Sequence, residues 1–408
     1  MGCFMSKGVR EYLEGYMQKG TIFRDKSVLQ PNYTPQDLKH RGEEVDKIAK
    51  IMAPCLRVNK PSNLFLYGKT GTGKTLSMIH VSEQIREIAE KNNIPLKIIY
   101  INCKLKKVTD TEYRLIAQIG RELGEEIPYT GLPTDEVYKT FYEKIDREKQ
   151  LLILVLDEID QLVKKIGDDV LYNLTRINTE LKNAQISIVG ISNDLVFADN
   201  LDPRVKSSLS EEEMVFRPYD ALQIQDILKE RASLAFEDGV ISEGVIGKCA
   251  AYAAIDHGDA RRAIELLRIA SELAERNNES RVEIKHIDEA NEKLERDRVV
   301  DIVLAQPKQF QATLYSILCI AQSDHGSQAI STGSIYDFYR KLCANTSLRP
   351  LTQRRISDII AELDMFGIIN AKITSKGRYG RTREIKLALQ NDVIPKIKDI
   401  LVSDLNLK

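Results

Sequence analysis

The sequence predicts an α/β protein of several domains, and three observations lead to this fold class. Apolar, strand-like runs alternate with amphipathic helical stretches through the first half of the chain, which is typical of βαβ units around a parallel sheet. Helical periodicity alone continues from about residue 218. The length of 408 residues also exceeds what one core supports, since single cores stop growing beyond roughly 250–300 residues.

Four apolar runs are the candidate strands of the sheet. Their lack of polar alternation predicts strands that are covered on both faces, as in a parallel sheet between helices. Amphipathic stretches such as 74–91 and 111–123 fit the connecting helices. The four runs occupy residues 63–68, 96–103, 151–158 and 185–193.

The first run leads directly into GKTGTGKT (68–75), which matches the phosphate-loop pattern G-x-x-x-x-G-K-[ST] between a strand and a helix. The glycines let the backbone curl so that its N–H groups face a phosphate at the helix N-terminus. Lys74 is predicted to reach the β- and γ-phosphates, and the Thr75 hydroxyl to bind Mg²⁺. The residues predicted to contact ATP or ADP here are Thr70, Gly71, Thr72, Gly73, Lys74, Thr75 and Leu76.

An acidic pair ends the third run, in LLILVLDEID. Asp157 stands where a carboxylate can hold the Mg²⁺ shell, and Glu158 is a candidate general base for the attacking water. Two adjacent acids after a strand also fit a solvated turn. The phosphate loop upstream favours the first interpretation, a Mg²⁺-dependent ATPase.

With these two motifs the chain resembles the AAA+ superfamily, and within it the archaeal Orc1/Cdc6 replication initiators, over about residues 22–405. DEID is the AAA+ form of the acidic motif. GISND aligns Asn193 with the sensor 1 residue that detects the γ-phosphate. HGDARRAIELL aligns Arg261 of a helical lid with sensor 2, so the resemblance implies that this side chain contacts the phosphates.

Three further segments of the resemblance carry candidate residues. LQPNYTPQDLKHR (29–41) matches a segment that packs over the adenine. FRPYDALQIQDILKER (216–231) matches the opening of the lid, where Tyr219 and Arg231 would contact nucleotide. LDPRVKSSL makes Arg204 the candidate arginine finger for a neighbouring subunit. A structural salt bridge of this arginine is the alternative, since the Ser-Arg-Cys signature of clamp loaders is absent.

The stretch 104–145 is longer than a minimal connection between two strands. The resemblance places in it a helical insertion that leans on duplex DNA. An ordinary helix and loop packed on the sheet is the alternative.

Residues 310–389 resemble a winged helix, in which helices precede a β-hairpin. Apolar residues of the helix 352–366 form one stripe that must face a core, and Thr352 and Gly367 are predicted to cap its ends. In helix-turn-helix relatives the N-terminal part of this helix reads bases in the major groove. The candidate DNA contacts there, off the apolar stripe, are Gln353, Arg354, Arg355 and Ser357.

The hairpin carries six Lys or Arg and one acid between residues 371 and 387. Its alternating apolar residues fix one face of each strand, so the basic residues collect at and beside the turn. Such a turn fits a wing that contacts DNA phosphates and enters the minor groove, whereas a solubilising charged turn is the alternative. The wing candidates are Lys376, Arg378, Tyr379, Arg381 and Arg383.

Composition limits the classes of function. The 59 basic and 60 acidic residues nearly cancel, so affinity for DNA has to come from local clusters. No apolar run approaches the about 20 residues of a membrane helix, and six scattered cysteines without a CxxC pair predict reduced thiols instead of disulfides or zinc. MGCFMS at the start fits a myristoylation pattern by its letters, but we expect an unstructured start.

The resemblance implies an AAA+ P-loop ATPase, made of a parallel sheet core plus a helical lid, with a C-terminal winged-helix domain. The predicted segments are a flexible N-terminus (1–20), the nucleotide-binding domain (21–215), the lid (216–297), a linker (298–309) and the winged helix (310–408).

The function that the resemblance implies is that of a cytoplasmic, nucleoid-associated initiator, which binds duplex DNA at replication origins. Slow, Mg²⁺-dependent ATP hydrolysis would act as its conformational switch. The replicative helicase and paralogous initiators are partners implied by the resemblance alone. A nucleotide-switched transcriptional regulator is the alternative. A processive motor or clamp loader fits a C-terminal winged helix poorly.

Overall fold

The computed structural model describes residues 20–407, except 32, 36, 105–109, 129–130, 210, 324–329, 347, 376–380 and 390–392. The chain forms two compact units, Met1–Asp288 and Glu289–Lys408. Within the described residues, every helix is too short or too polar to cross a lipid bilayer.

The first unit is built on a five-stranded parallel sheet of order β2-β3-β4-β1-β5. The four predicted strands are confirmed, whereas the fifth, β5, was not predicted. Its sequence EEEMV contains three glutamates and forms an edge strand next to β1, so it lacks the apolar run of a strand covered on both faces. The strands are β1 Asn63–Tyr67, β2 Leu96–Asn102, β3 Leu151–Asp157, β4 Gln185–Ser192 and β5 Glu211–Val215.

Helices cover both faces of this sheet, and every residue of β3 is buried between them. On one face Phe65 packs against Gly190, where an added Cβ would lie 2.5 Å from the aromatic ring. The helices that accompany the sheet are α1 Gly42–Met52, α2 Lys74–Lys91, α3 Glu112–Glu122, α4 Thr134–Ile145, α5 Ile159–Ile166, α6 Asp169–Glu180 and α7 Pro203–Leu209.

A helical lid completes this unit. Its helices are α8 Ala221–Ala235, α9 Val245–Ile255 and α10 Ala260–Arg276. Asp220 forms a capping box with Gln223 at the start of α8. Asp259 caps α10 by accepting hydrogen bonds from the backbone N–H groups of Arg261 and Arg262 at 2.9 and 3.2 Å. We call residues 216–220, which join β5 to α8, the hinge segment.

The second unit is a winged helix with its own hydrophobic core. The predicted hairpin and the predicted caps of the helix 352–366 are confirmed: Thr352 Oγ1 accepts from the Arg355 N–H, and Gly367 has φ +72°. A short strand, β6, and a C-terminal helix, α15, were not predicted. The elements, the first of which begins in the last residues of the first unit, are α11 Ile284–Ala305, α12 Lys308–Ser323, β6 Ile330–Ser331, α13 Thr332–Thr346, α14 Gln353–Met365, β7 Ile369–Ser375, β8 Arg381–Leu387 and α15 Val393–Asp404.

The hairpin strands pair antiparallel, with Ala371 opposite Ile385, and β6 adds to β8. Together with the parallel sheet and the lid of the first unit, this winged helix confirms the predicted fold class.

Candidate functional site

The phosphate loop curls between β1 and α2 through two glycines in the left-handed region, Gly71 with φ +70° and Gly73 with φ +90°. Gly73 directly precedes α2, so the phosphate loop ends at the helix N-terminus, where the backbone N–H groups of the first turn have no partner within the helix. The loop therefore has the backbone form and the helix dipole that suit a phosphate group.

Lys74 is almost fully buried beneath this loop. Its Nζ donates to the carbonyls of Gly68 at 2.7 Å and Lys69 at 2.8 Å, and to Asn193 Oδ1 at 3.0 Å. Burial lowers the pKa of Lys74 to about 8, and Arg261 adds to this effect while Asp157 opposes it. The predicted phosphate lysine and the predicted sensor 1 residue are thus in direct contact.

The acidic pair, Asp157 and Glu158, contacts the phosphate loop through Thr75. Thr75 Oγ1 donates to Asp157 Oδ2 at 2.9 Å, and the Tyr100 hydroxyl donates to the same oxygen. The Glu158 backbone N–H donates to Asp157 Oδ1 at 2.9 Å, with Glu158 in the left-handed region at φ +55°. A hydroxyl beside a carboxylate provides oxygen ligands that fit Mg²⁺ bound jointly with phosphate.

The lid touches the phosphate loop through its GDAR sequence. A Cβ added to Gly71 would lie 1.7 Å from Asp259 Oδ1, and the Ala260 N–H donates to the Gly71 carbonyl at 3.3 Å. Asp259 thereby holds the N-terminus of α10, and with it Arg261, against the loop. Gly258 packs on the Tyr219 carbonyl of the hinge segment, where an added Cβ would lie at 2.3 Å.

One cavity of about 420 Å³ brings these groups together. Its lining includes the phosphate loop, residues 29–31, 33–35 and 37–39, and residues of the lid. Within this lining the Arg231 guanidinium stacks on the Tyr33 ring at 4.3 Å and donates to the Val28 carbonyl at 3.0 Å, and burial lowers the pKa of Arg231. The predicted site residues that line the cavity are Thr70, Gly71, Thr72, Gly73, Lys74, Thr75, Leu76, Asp157, Glu158, Asn193, Tyr219, Arg231 and Arg261.

Arg204 does not line this cavity. It is exposed and pairs with Asp202, whose Oδ1 accepts from Arg204 Nε at 3.0 Å. This hydrogen bond raises the pKa of Arg204. The local salt bridge expected as the alternative is therefore present, and a role in the site of a neighbouring subunit stays a prediction.

The DNA-contact candidates of the second unit begin at the N-terminus of α14. Gln353, Arg354 and Arg355 are exposed there, and Ser357 is partly buried one turn later. Arg383 Nη1, from β8, donates to the Ser357 carbonyl at 2.8 Å, so the hairpin is tied to α14. The remaining wing candidates Lys376, Arg378 and Tyr379 lie outside the described residues, as does the side chain of Arg381.

Two residues of the site were missed at the level of sequence. Tyr100 lies within a predicted strand, and only its position near the carboxyl end of that strand signals the site. Arg41 lies in the segment expected to pack over the adenine, but no pattern marked its side chain. It donates to the Thr72 carbonyl of the phosphate loop at 2.9 Å.

Three family profiles match the chain: an AAA domain at residues 58–196, a Cdc6 AAA+ ATPase-type lid domain at 225–292 and a CDC6 C-terminal winged helix domain at 301–396.

Two curated relatives and one solved structure are similar over nearly the whole chain. An ORC1-type DNA replication protein of Pyrococcus furiosus is 52% identical over 98% of this chain and 94% of its own length. ORC1-type DNA replication protein 1 of Methanosarcina mazei is 49% identical over 97% and 95%. The structure of the Aeropyrum pernix ORC1 protein in complex with DNA has a TM-score of 0.81 at 44% identity and covers 95% of this chain and 100% of that one.

Proposed function

The chain belongs to the family of ORC1-type DNA replication proteins, and we propose that it is an ATP-dependent initiator that binds duplex DNA at replication origins. One observation carries this proposal. The cavity of the first unit joins a phosphate loop, an acidic pair and a lid arginine, while the second unit presents exposed basic residues at the N-terminus of a winged-helix α14.

In this proposal, different residues of the cavity bind the phosphates, hold Mg²⁺ and activate water for the hydrolysis of ATP. The phosphate loop and Lys74 hold the phosphates, and Thr75 with Asp157 would hold Mg²⁺, which when bound neutralises charge on the phosphates. Glu158 orients a water molecule and accepts its proton. Asn193 directly follows β4 and accepts a hydrogen bond from Lys74 Nζ at 3.0 Å, and in this proposal it detects the γ-phosphate.

We propose that nucleotide acts chiefly as a switch and that turnover by one chain alone is slow. Arg261 reaches the cavity from the lid, so charge pairing with the phosphates fixes the angle between lid and sheet. The other described arginines that line the cavity have partners elsewhere: Arg231 stacks on Tyr33, and Arg268 pairs with Glu272. Arg204 of a neighbouring subunit is our candidate for a finger that accelerates hydrolysis in trans.

The winged helix binds DNA in this proposal through the start of α14 and through the hairpin. Gln353, Arg354 and Arg355 would face base edges and phosphates, and Arg383 would hold the hairpin against α14. The insertion helices α3 and α4 would add a second contact with the duplex. A replicative helicase, paralogous initiators and a location at the nucleoid are further parts of the proposal. The names of the relatives give no support to the alternative of a transcriptional regulator.

Recovery of genomic fragments tests the DNA-binding part. Wild-type protein is mixed with fragments of its own genome at two salt concentrations, beside Arg354→Ala/Arg355→Ala. Lys396→Ala/Lys398→Ala, which removes two positive charges from α15 of the same unit, is the matched control.

We expect wild type and the control to enrich a few fragments near replication start sites. The α14 variant should lose about tenfold or more in affinity for them and show a shallower salt dependence. Enrichment of promoters, or equal losses in the two variants, contradicts the proposal.

A further inference from the structure

Arg41 is a buried positive charge that joins the phosphate loop to the hinge segment. It is only 4% exposed. Its Nε donates to the Thr72 carbonyl at 2.9 Å, and its Nη2 donates to the Arg217 carbonyl at 2.6 Å. One guanidinium therefore binds two backbone carbonyls that are 145 positions apart, one in the loop and one in the connection to the lid.

The same guanidinium is held in place by its neighbours. It stacks on the ring of Tyr219 at 3.9 Å and lies 5.5 Å from the ring of Phe216, both in the hinge segment. Glu44 Oε1 accepts from Nη1 at 3.0 Å and balances the charge. The arginine thus makes its hydrogen bonds in a nearly dry site, where each is costly to lose.

The loop and the hinge segment also approach each other closely at two further points. A Cβ added to Gly73 would lie 2.8 Å from Tyr219 Oη, and one added to Gly68 would lie 2.6 Å from the Phe216 carbonyl. A displacement of the loop by even a fraction of an ångström therefore has to be taken up by the hinge segment, because close-packed interiors leave no slack.

We propose that Arg41 is a positioning residue that couples occupancy of the phosphate loop to the hinge of the lid. A planar guanidinium can donate along two fixed directions, whereas a lysine ammonium at the same place cannot satisfy both carbonyls with the same geometry. Nucleotide that orders the loop orders the Thr72 carbonyl, and through Arg41 the Arg217 carbonyl. This inference rests on the proposed nucleotide switch and names the side chain that links its two parts.

Hydrogen exchange on the full-length chain tests the coupling. Amide exchange in 216–220 and at the start of α10 is measured without nucleotide and with saturating ADP or a non-hydrolysable ATP analogue. Wild type is compared with Arg41→Lys, and with Glu44→Gln as a control that keeps both carbonyl contacts. Thermal unfolding checks that each variant is folded. If Arg41→Lys unfolds, Arg41→Gln takes its place, because its shorter side chain ends in one amide nitrogen instead of three guanidinium nitrogens.

We expect nucleotide to slow exchange of the hinge amides by about tenfold in wild type and in Glu44→Gln. Arg41→Lys should bind nucleotide and slow exchange in the phosphate loop, with little or no slowing in the hinge segment. Equal slowing in Arg41→Lys and wild type overturns the inference alone. A folded Arg41→Lys variant that no nucleotide concentration saturates also overturns it, because Arg41 would then belong to binding itself. No slowing in wild type refutes the proposed switch.

Discussion

Replacing Gly71 by alanine should uncouple the phosphate loop from the lid. The new Cβ would lie 1.7 Å from Asp259 Oδ1 and 2.4 Å from Cγ, so the Asp259 side chain has to leave its position. That side chain caps α10 and sets the place of Arg261. The substitution therefore acts on the lid although it is made in the loop.

The expected cost has two parts. An alanine at φ +70° costs about 1–2 kcal/mol, and loss of the Asp259 cap costs about 1 kcal/mol, so the free energy of unfolding should fall by about 2–3 kcal/mol. A charge-assisted contact of Arg261 with phosphate is worth roughly 1.5–3 kcal/mol, so its misplacement should weaken nucleotide binding by about 10- to 100-fold.

Thermal unfolding and titration with a fluorescent nucleotide measure the two effects separately. Gly124→Ala is the matched control, because Gly124 has φ +91° and open space where its Cβ would lie. It should cost about 1–2 kcal/mol in stability and leave nucleotide affinity unchanged. If Gly71→Ala binds nucleotide as tightly as Gly124→Ala, the contact between loop and lid has no role in binding.

Three further predictions concern single side chains. Tyr100→Phe removes one hydrogen bond to the Asp157 carboxylate and leaves the one from Thr75 in place. Nucleotide affinity in the presence of Mg²⁺ should therefore fall by about fivefold, while affinity in EDTA stays the same. An equal loss of affinity in EDTA contradicts this prediction. The pKa of Lys74 is lowered from its ordinary value of 10.5 to about 8 in the folded protein, so the unfolded chain binds more protons between these two pH values. In unfolding titrations, wild type should therefore gain stability relative to Lys74→Met as the pH rises from 8 to 10.5. A difference that stays flat over this window refutes the shift. Thr352→Ala removes the cap of α14 and should lower stability by about 1 kcal/mol in denaturant unfolding, whereas an unchanged midpoint would show that the cap is dispensable.

The parts of the fold that the sequence predicted are those encoded locally. The four predicted strands are continuous apolar runs, the phosphate loop is a short pattern in a fixed context, and the helix α14 has its cap and its C-terminal glycine within the same segment. Strand β5 was missed because an edge strand is defined by its partner β1, and EEEMV alone resembles a charged loop.

Arg41 and Tyr100 show the same limit within the site. Each takes its role from a partner distant in sequence, Thr72 and Arg217 for the first and Asp157 for the second. No spacing rule connects such positions, and an arginine or tyrosine near an element end is usually a surface residue. Burial alone distinguishes Arg41 from the many exposed arginines of the chain, and burial is a property of the folded structure.

The order of the strands explains why the remaining site residues meet. In a parallel sheet the carboxyl ends of all strands lie at one edge, so the ends of β1, β3 and β4 share that edge whatever their order. The order β3-β4-β1 then places the end of β4 between the phosphate loop and the acidic pair. Asn193 follows β4 directly and contacts Lys74 on the β1 side. A polar residue that ends the middle strand is thus next to both halves of the site, so the sheet order gives a physical reason for its predicted role as the γ-phosphate sensor.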